Sequence, residues 1–382
     1  MKIVKKMLFK FVELLDKIIP EKKQIIFHSK PDYSDNAYAL FKYMIENSFT
    51  EKYDLIWLCD VFPEKLAKRI ESEFNIKIKT FKKYSLKGVW AYLRSERAFY
   101  TSGLMWNIKS SSKRKRINLW HGMPLKSIGL LEECFNEYHH QDFLIATSTL
   151  FQDILVKCFP IEKNKIIITG QPRNDLLFQK TSYFENIGLK RESFNHILIW
   201  MPTFRQAKNN IATTSIKTDL TMISLLPICK LNTLNKILKQ NNDLLILTLH
   251  PIDELNKHKF KKFSNIKIYK GGELGKLGVQ LYPLIGSCNV LITDYSSVFI
   301  DFDILNKPII FAMDDLDEYK KSRGFVFDGN IEDYMPGTIV QTENEFLELI
   351  KKQNFKTVQS KFELNKFKDN NSSKRILNKL NI

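Results

Sequence analysis

Short runs of apolar residues alternate with amphipathic stretches along almost the whole of this 382-residue chain. The apolar runs have the length of buried strands, and the stretches between them show the 3.6-residue period of helices with one apolar face. An alternation of this kind predicts parallel β-sheets that are covered by helices. The first set of predicted strands comprises Ile25–Phe27, Leu55–Leu58, Ile76–Ile78, Ala98–Tyr100, Ile117–Trp120, Phe143–Ala146 and Lys165–Ile168.

The pattern is interrupted by a polar segment from Phe178 to Asn195 and then begins again, with predicted strands at Ile197–Trp200, Leu244–Leu249, Ile266–Tyr269, Val290–Ile292 and Pro308–Phe311. A chain of this length can bury two cores. The predicted fold class is α/β, with two doubly wound, Rossmann-like domains facing a cleft and an N-terminal amphipathic helix. The predicted boundaries are 1–23 for that helix, 24–185 for the N-terminal domain, 186–365 for the C-terminal domain and 366–382 for a C-terminal helical tail.

The first 30 residues are both basic and amphipathic. They contain eight Lys against three acidic residues, and apolar residues recur at helical spacing as far as Pro20. Two interpretations are open: the helix lies in the headgroup region of an anionic membrane, or it packs on the body of the protein. Charges at Lys10, Glu13 and Asp16 interrupt the apolar run, so a secretory signal peptide is not expected. The chain has no run of about 18 apolar residues, so no membrane-spanning helix is expected.

The net charge of +17 favours polyanionic partners, but the sequence contains no recognisable nucleic-acid-binding module. A second basic cluster, Lys109 with Lys113–Arg116, is expected to be a solvated loop or to touch phosphate groups. Five scattered cysteines without a CxxC pair indicate thiols in a reducing cytoplasm, and no spacing is typical of a metal site. No predicted strand is followed by the Gly-rich fingerprint of a dinucleotide dehydrogenase or a P-loop NTPase, which argues against both classes.

Two histidines, His121 and His250, follow strand-like runs in different halves of the chain. In open α/β sheets, ligands bind beyond the carboxyl ends of the strands, so these two imidazoles can face one cleft. His28 also follows a strand and is a third candidate. His196 and His258 have polar neighbours and are expected at the surface.

Three further segments at strand ends carry groups suited to phosphate. Thr293–Ser297 follows a buried strand, and hydroxyls with N–H groups at a helix start form an anion site, although an ordinary capped helix has the same pattern. Arg205 would either fork onto phosphate oxygens or pair with a carboxylate. Arg173 and Asp175 end the first half, either as an ion pair that holds the hinge or as substrate ligands.

The motifs occur in a consistent order: Trp120–Lys126, Gly170–Asp175, Pro202–Arg205, Leu249–Pro251, Thr293–Ser297 running on to Asp301, Asp315–Tyr319 and Arg323–Asp328. Together they resemble the CDP-glycerol glycerophosphotransferase family, the teichoic-acid primases and polymerases of bacterial cell-wall synthesis. Two positions depart from that family. Met123 stands where Thr is usual, and Gln171 stands where an aromatic residue or Asn is more common. Both are expected to tune the acceptor without abolishing the reaction.

The resemblance implies a glycosyltransferase-B type fold and transfer of glycerol phosphate from CDP-glycerol to a hydroxyl of a lipid-linked saccharide or growing polymer, with release of CMP. It implies that His121 is the general base for the acceptor hydroxyl and that His250 stabilises charge on the transferred phosphoryl group. No cofactor is expected, and no motif indicates bound Mg²⁺ or another metal. The implied substrate-binding residues are Gly122, Lys126, Arg173, Asp175, Thr203, Arg205, Thr293, Asp294, Ser296, Ser297, Asp301 and Arg323.

The expected partners are CDP-glycerol, an undecaprenyl-diphosphate-linked saccharide acceptor and an anionic membrane surface, with no nucleic acid. The N-terminal helix would hold a peripheral enzyme at the cytoplasmic face of the cell membrane, where a soluble donor meets a lipid-linked acceptor. Two other transferases are open alternatives: a CDP-ribitol ribitolphosphotransferase, and a glycosyltransferase that uses a nucleotide sugar for capsule or lipopolysaccharide. A non-catalytic membrane-surface or nucleic-acid-binding protein would explain the charge but not the strand-end histidines.

Overall fold

A computed structural model describes residues 2–61, 64–105, 113–132, 141–179, 183–203, 222–249 and 262–382. The chain forms two compact units. The first unit contains Met1–Met123, Gly129–Asp175 and Asp369–Ile382, and the second contains Pro124–Ile128 and Leu176–Lys368. The C-terminal helix therefore belongs to the first unit, and a short segment after Met123 belongs to the second.

The first unit is built on a seven-stranded parallel sheet with the order β3-β2-β1-β4-β5-β6-β7. Its central strands are apolar on both sides because helices cover both faces of the sheet. The strands are β1 (Lys22–His28), β2 (Asp54–Cys59), β3 (Lys79–Lys82), β4 (Ser95–Tyr100), β5 (Lys115–Asn118), β6 (Phe143–Ala146) and β7 (Ile166–Ile168). The helices are α1 (Lys2–Ile18), α2 (Asp35–Glu46), α3 (Glu64–Phe74), α4 (Leu86–Arg94), α5 (Thr149–Cys158), α6 (Pro172–Asp175) and, from the end of the chain, α14 (Ser372–Lys379).

The second unit contains a six-stranded parallel sheet with the order β12-β11-β8-β13-β14-β15 and a small hairpin of β9 and β10. The strands are β8 (Ile197–Met201), β9 (Met222–Ile223), β10 (Leu226–Pro227), β11 (Leu244–Leu249), β12 (Ile266–Lys270), β13 (Val290–Thr293), β14 (Ile309–Ala312) and β15 (Thr338–Val340). The helices are α7 (Tyr183–Asn186), α8 (Leu231–Asn241), α9 (Glu273–Lys276), α10 (Leu281–Ser287), α11 (Val298–Phe302), α12 (Leu316–Arg323) and α13 (Glu343–Lys352).

Both sheets have the strand order of a doubly wound fold, which confirms the predicted class. In each sheet the chain starts near the middle, builds outward to one edge and then returns to build the other half. The direction reverses between β1 and β4 in the first sheet and between β8 and β13 in the second. A crevice forms beyond the carboxyl ends of the strands at such a switch point, and it is where open α/β sheets bind ligands.

Helix α1 has one face packed into the first unit and another face exposed. Val12 of α1, and Ile19 directly after the helix, are buried in the core cluster that also contains Ile26 of β1. An apolar row on the outer face, Met7, Phe11, Leu14 and Ile18, is 57–75% exposed. In the described part of the chain, no helix combines the length and the apolar character that crossing a bilayer needs.

Several local predictions are wrong. The strand predicted at Ile76–Ile78 lies instead at β3, and the strand β15 was not predicted. The second basic cluster is not a solvated loop throughout, because Lys115 and Arg116 are part of β5 and Arg114 and Arg116 are each only 1% exposed. Lys109, which was predicted with this cluster, lies outside the described residues. The strand predicted to run to Trp120 ends at Asn118, so a short turn separates it from the first histidine.

Candidate active site

His121 follows β5, the strand next to β4, and so lies beside the switch point of the first sheet. Thr101 follows β4 directly, and its backbone N–H donates to the carbonyl of His28 at the end of β1, at 3.1 Å. The backbone of Thr101 is a hydrogen-bond partner of the His121 ring and favours the protonated form. A neutral imidazole with one ring nitrogen bonded in this way has its other nitrogen available as a proton acceptor.

Two charged residues flank His121. Arg173 Nη1 donates to the His121 carbonyl at 2.9 Å and to Asp35 Oδ1 at 2.8 Å. His121 is exposed at the surface, yet enough protein surrounds its ring to desolvate it. This desolvation lowers the pKa of His121, Arg173 lowers it further and the Asp35 carboxylate opposes the change. A lowered pKa favours the neutral imidazole, which is the form that accepts a proton near pH 7.

The turn that presents His121 depends on two unusual backbone conformations. Trp120 has a φ of 50°, and Gly122 has a φ of 132° that a side chain would strain. The indole of Trp120 lies against the imidazole, with ring centroids 4.1 Å apart. Gly122, predicted to bind substrate, is therefore required at least for the shape of this turn.

Sequence reasoning missed Asn36, which is wholly buried at the start of α2. Its side-chain nitrogen donates to the carbonyls of Leu119 and Trp120, at 3.1 and 2.9 Å, and to Gln171 Oε1 at 3.1 Å. Its side-chain oxygen accepts from the backbone N–H of Arg173 at 3.0 Å. The available signal was an Asp-Asn pair after the first strand of a doubly wound sheet, near its switch point.

His28, the third histidine candidate, is wholly buried. Its Nδ1 lies 2.6 Å from the Leu58 carbonyl, and Lys83 Nζ lies 3.3 Å from its Nε2 while pairing with Asp60 at 2.6 Å. Burial, reinforced by Lys83, lowers the pKa of His28 to about 4. These contacts indicate a neutral, structural imidazole.

Asp175 contacts the end of the chain. Its two carboxylate oxygens accept from the backbone N–H groups of Ser372 and Ser373, both at 2.8 Å, at the start of α14. Burial raises the pKa of Asp175, and these N–H donors oppose the rise. Gly170 permits this approach, since a Cβ there would lie 2.6 Å from the Ser372 hydroxyl. The sequence assigned Asp175 to substrate, whereas these contacts give it a structural role as the cap of α14.

In the second unit, three residues predicted to bind substrate meet at the switch point between β8 and β13. The Asp294 carboxylate accepts from the Thr203 backbone N–H at 2.9 Å and from the Thr203 hydroxyl. Thr293 Oγ1 donates to the Met201 carbonyl at 2.9 Å. Asp294 is buried, and these donors satisfy its carboxylate oxygens in place of water. The arrangement fixes both strand ends at the edge where a doubly wound sheet binds nucleotides.

The segment after β13 departs from its prediction. Helix α11 has only five residues, and Ser297 stands before it without a side-chain capping bond. Ser296 Oγ accepts from the Val298 N–H at 3.5 Å, which is a long hydrogen bond. Asp301 is buried and accepts from the Tyr282 hydroxyl at 2.7 Å. The hydroxyls of Ser296 and Ser297 therefore do not cap α11 strongly, and the assignment of this segment to phosphate binding stays a prediction.

Lys126 lies with the closing motifs of the second unit. Its Nζ is 5.3 Å from the centre of the Tyr319 ring, which stacks on Tyr295 at 3.9 Å. The Val326 N–H donates to the Leu125 carbonyl at 3.1 Å, joining the segment after His121 to the Arg323–Asp328 motif. Arg323 itself is the last residue of α12.

His250 and Arg205 lie outside the described residues. Within the described ranges, no group of three or more His, Cys, Asp or Glu side chains is arranged to hold a metal ion.

Comparison with known proteins identifies the family. The family described as CDP-Glycerol:Poly(glycerophosphate) glycerophosphotransferase matches residues 9–381. The chain belongs to this family. It is therefore an enzyme, a CDP-glycerol glycerophosphotransferase, as its motifs predicted.

Relatives and a solved structure agree with this assignment. A teichoic acid poly(glycerol phosphate) polymerase of Bacillus spizizenii is 29% identical over 376 residues, which cover 91% of this chain and 87% of that protein. A teichoic acid glycerol-phosphate transferase of Staphylococcus aureus is 27% identical, with 92% of this chain and 88% of that protein covered. The structure of the wall teichoic acid polymerase TagF matches with a TM-score of 0.71 and 21% identity, covering 98% of this chain and 92% of that one, and shows the shared fold.

Proposed function

We propose that this enzyme transfers glycerol phosphate from CDP-glycerol to a hydroxyl of a lipid-linked saccharide or polyol-phosphate acceptor in teichoic acid synthesis, releasing CMP. The observation that carries the proposal is the setting of His121. Its imidazole lies beside the switch point of the first sheet, the Thr101 backbone is a hydrogen-bond partner of the ring, the Trp120 indole lies against it at 4.1 Å, and its pKa is lowered by desolvation. These are the properties of a general base for an alcohol.

In the proposed reaction, the second ring nitrogen of His121 takes the proton of the acceptor hydroxyl. The oxygen attacks the phosphorus that carries glycerol, and a new P–O bond forms. The bond between that phosphorus and the bridging oxygen of the diphosphate breaks, and CMP leaves with the electron pair. Proton removal by a positioned base contributes about 10²- to 10⁴-fold to such a rate.

The donor is assigned to the second unit. Strands β8 and β13 end side by side there, and the Asp294–Thr203 contact joins the two strand ends. Nucleotides bind at this edge of doubly wound sheets, which supports placing the cytidine diphosphate there. His250 and Arg205 are retained as the proposed groups that stabilise charge on the phosphoryl oxygens, since cationic and imidazole donors lower the energy of such transition states.

Helix α1 supports a membrane-surface location for the enzyme and therefore a lipid-linked acceptor. Its exposed row of Met7, Phe11, Leu14 and Ile18 lies beside the exposed cations Lys10 and Lys17. Apolar side chains flanked by Lys suit the headgroup region of an anionic membrane. We assign the enzyme to the membrane surface as a peripheral protein, because a lipid-linked acceptor is presented there.

The transfer is tested with CDP-glycerol, CDP-ribitol and a UDP-sugar, each with a soluble lipid-linked disaccharide analogue, by following the release of CMP or UDP. We expect release with CDP-glycerol and a fall of about 10²- to 10⁴-fold in His121→Gln. His196→Gln is the matched control, since His196 lies in the second unit and bonds Asp243 at 3.0 Å. Turnover of the nucleotide sugar alone, or full activity in His121→Gln, would overturn the proposal.

Membrane attachment is tested separately by flotation with anionic and zwitterionic vesicles. The double variant Phe11→Ser/Ile18→Ser is expected to lose most binding to the anionic vesicles. Leu277→Ser/Val358→Ser removes exposed apolar side chains from the second unit and is expected to bind normally. Equal binding by all three proteins would remove α1 as the attachment site.

A further inference from the structure

The turn around His121 is held by a buried amide rather than by a sheet ladder. Strand β5 ends at Asn118, and the last link to β4 is the Leu119 N–H, which donates to the Tyr100 carbonyl at 2.7 Å. Trp120 and His121 lie beyond the ladder. The side-chain nitrogen of Asn36 donates hydrogen bonds to the carbonyls of Leu119 and Trp120. Buried carbonyl groups without a partner cost about 1–3 kcal/mol each, so this pairing is a requirement of the turn.

Trp120 shows that the turn is strained and held from both sides. A φ of 50° is costly for a bulky residue and persists only when surrounding contacts impose it. The Trp120 N–H donates to Asn118 Oδ1 at 2.9 Å, and the Trp120 carbonyl accepts from Asn36 at 2.9 Å. Both backbone groups of the residue before His121 are therefore fixed by side-chain amides.

Asp35 and Asn36 together also hold Arg173, the second residue of α6. Asn36 accepts from the backbone N–H of Arg173, while Asp35 holds the Arg173 guanidinium that bonds the His121 carbonyl. Asp35 has a φ of 59° and accepts from the Asn36 N–H at 2.8 Å, so the dipeptide is itself rigid. The hydrogen bonds of the Asn36 side chain described above go to the His121 turn and to the Gln171–Arg173 turn.

We propose that Asn36 is the positioning residue of His121: its side-chain amide joins the strained turn before His121 to the Gln171–Arg173 turn and so sets where the imidazole points. This rests on the proposed role of His121 as the base. Asn36 acts on His121 through the backbone, since its amide bonds the carbonyls of Leu119 and Trp120. A reacting group misplaced by about 1 Å costs on the order of 10²-fold in rate, so the effect falls on kcat.

The test compares Asn36→Ala and Asn36→Asp with Asn365→Ala. Asn36→Asp keeps the acceptor for Arg173 and removes the donors to the turn. Asn365 is a matched control, because it is also buried and donates to a carbonyl at 2.7 Å, but in the second unit. We expect both Asn36 variants to lose about 10²-fold in kcat with the KM for CDP-glycerol within about threefold of wild type. Asn365→Ala is expected to lose stability with kcat retained.

A second readout needs no substrate. The imidazole signals of isotopically labelled His121 should shift or broaden in both Asn36 variants and stay unchanged in Asn365→Ala. Unchanged His121 signals and kcat in Asn36→Asp would overturn the positioning role. If wild type releases no CMP from CDP-glycerol while the His121 signals still respond to Asn36, the proposed reaction fails and the positioning of the imidazole stands.

Discussion

The guanidinium of Arg114 forms an ion pair with Asp16, and neither side chain is more than 1% exposed. The same guanidinium donates to the Leu93 carbonyl at 2.6 Å and to the Ser95 carbonyl at 2.9 Å. One buried cation thus joins α1, the end of α4 and the start of β4. Helix α1 is consequently a fixed part of the first unit, and its exposed apolar row has a fixed direction.

Replacing Arg114 with Met should destabilise the protein by about 3–5 kcal/mol, because the variant leaves the Asp16 carboxylate buried without its partner. Urea unfolding measures this change. The control is Lys79→Ala, which removes an exposed pair with Asp54 and should cost less than about 1 kcal/mol. Similar losses in the two variants would contradict a special role for the buried pair.

Neutralising Asp35 should move the acid limb of the pH–rate profile to lower pH. The Asp35 carboxylate raises the pKa of His121 against the desolvation that lowers it, so Asp35→Asn removes the opposing charge. The neutral base then persists to more acidic solution. The profile of kcat/KM reports this shift even if the variant is slower, and Asp54→Asn serves as the control. A shift toward higher pH would show that Asp35 does not act on His121 through its charge.

Stability should fall on mild acidification because of His28. Its folded pKa is about 4, whereas an unfolded histidine titrates near 6.5, so the unfolded chain binds more protons between these values. The stability that depends on neutral His28 is present above about pH 6.5 and is lost as the pH falls toward 4. Urea midpoints at several pH values should decline less steeply in His28→Gln. Parallel declines in the two proteins would count against this origin.

The last helix should be required for the stability of the first unit. Ile376 is fully buried in the same core cluster as Trp57, so Ile376→Ala should cost about 2–5 kcal/mol. Lys379→Ala, on the exposed side of α14, should stay within about 0.5 kcal/mol of wild type. Unfolding followed by tryptophan fluorescence gives both values. Equal stabilities would mean that α14 adds little to this core.

The central strands were predictable, and the edges were not. Ile25–Phe27 in β1 and Leu244–Leu247 in β11 are buried under helices on both sides, so their composition marks them as strands. Strand β3 is an edge strand with a half-exposed pattern, and the apolar alternation just before it misplaced the prediction. The segment that forms this edge strand is decided by its pairing with β2, and the local sequence does not encode that pairing.

The candidate site was predictable where it followed from strand order. Thr203 and Asp294 were expected at strand ends, and the second sheet brings them together. Asn36 and Arg114 were not found, because their partners lie far along the chain: 83 residues separate Asn36 from Leu119, and 98 separate Arg114 from Asp16. A polar residue reveals its role only when the fold shows whether a partner is present.

The route of the polypeptide between the two units has a practical consequence. The backbone changes unit after Met123, Ile128, Asp175 and Lys368, so neither half is one uninterrupted stretch of gene. A fragment that stopped at Asp175 would omit α14, which packs on α2 and α6. Chimaeras that exchange the second unit between homologues will need matched junctions at each of these four crossings, because a simple head-to-tail splice would leave both units incomplete.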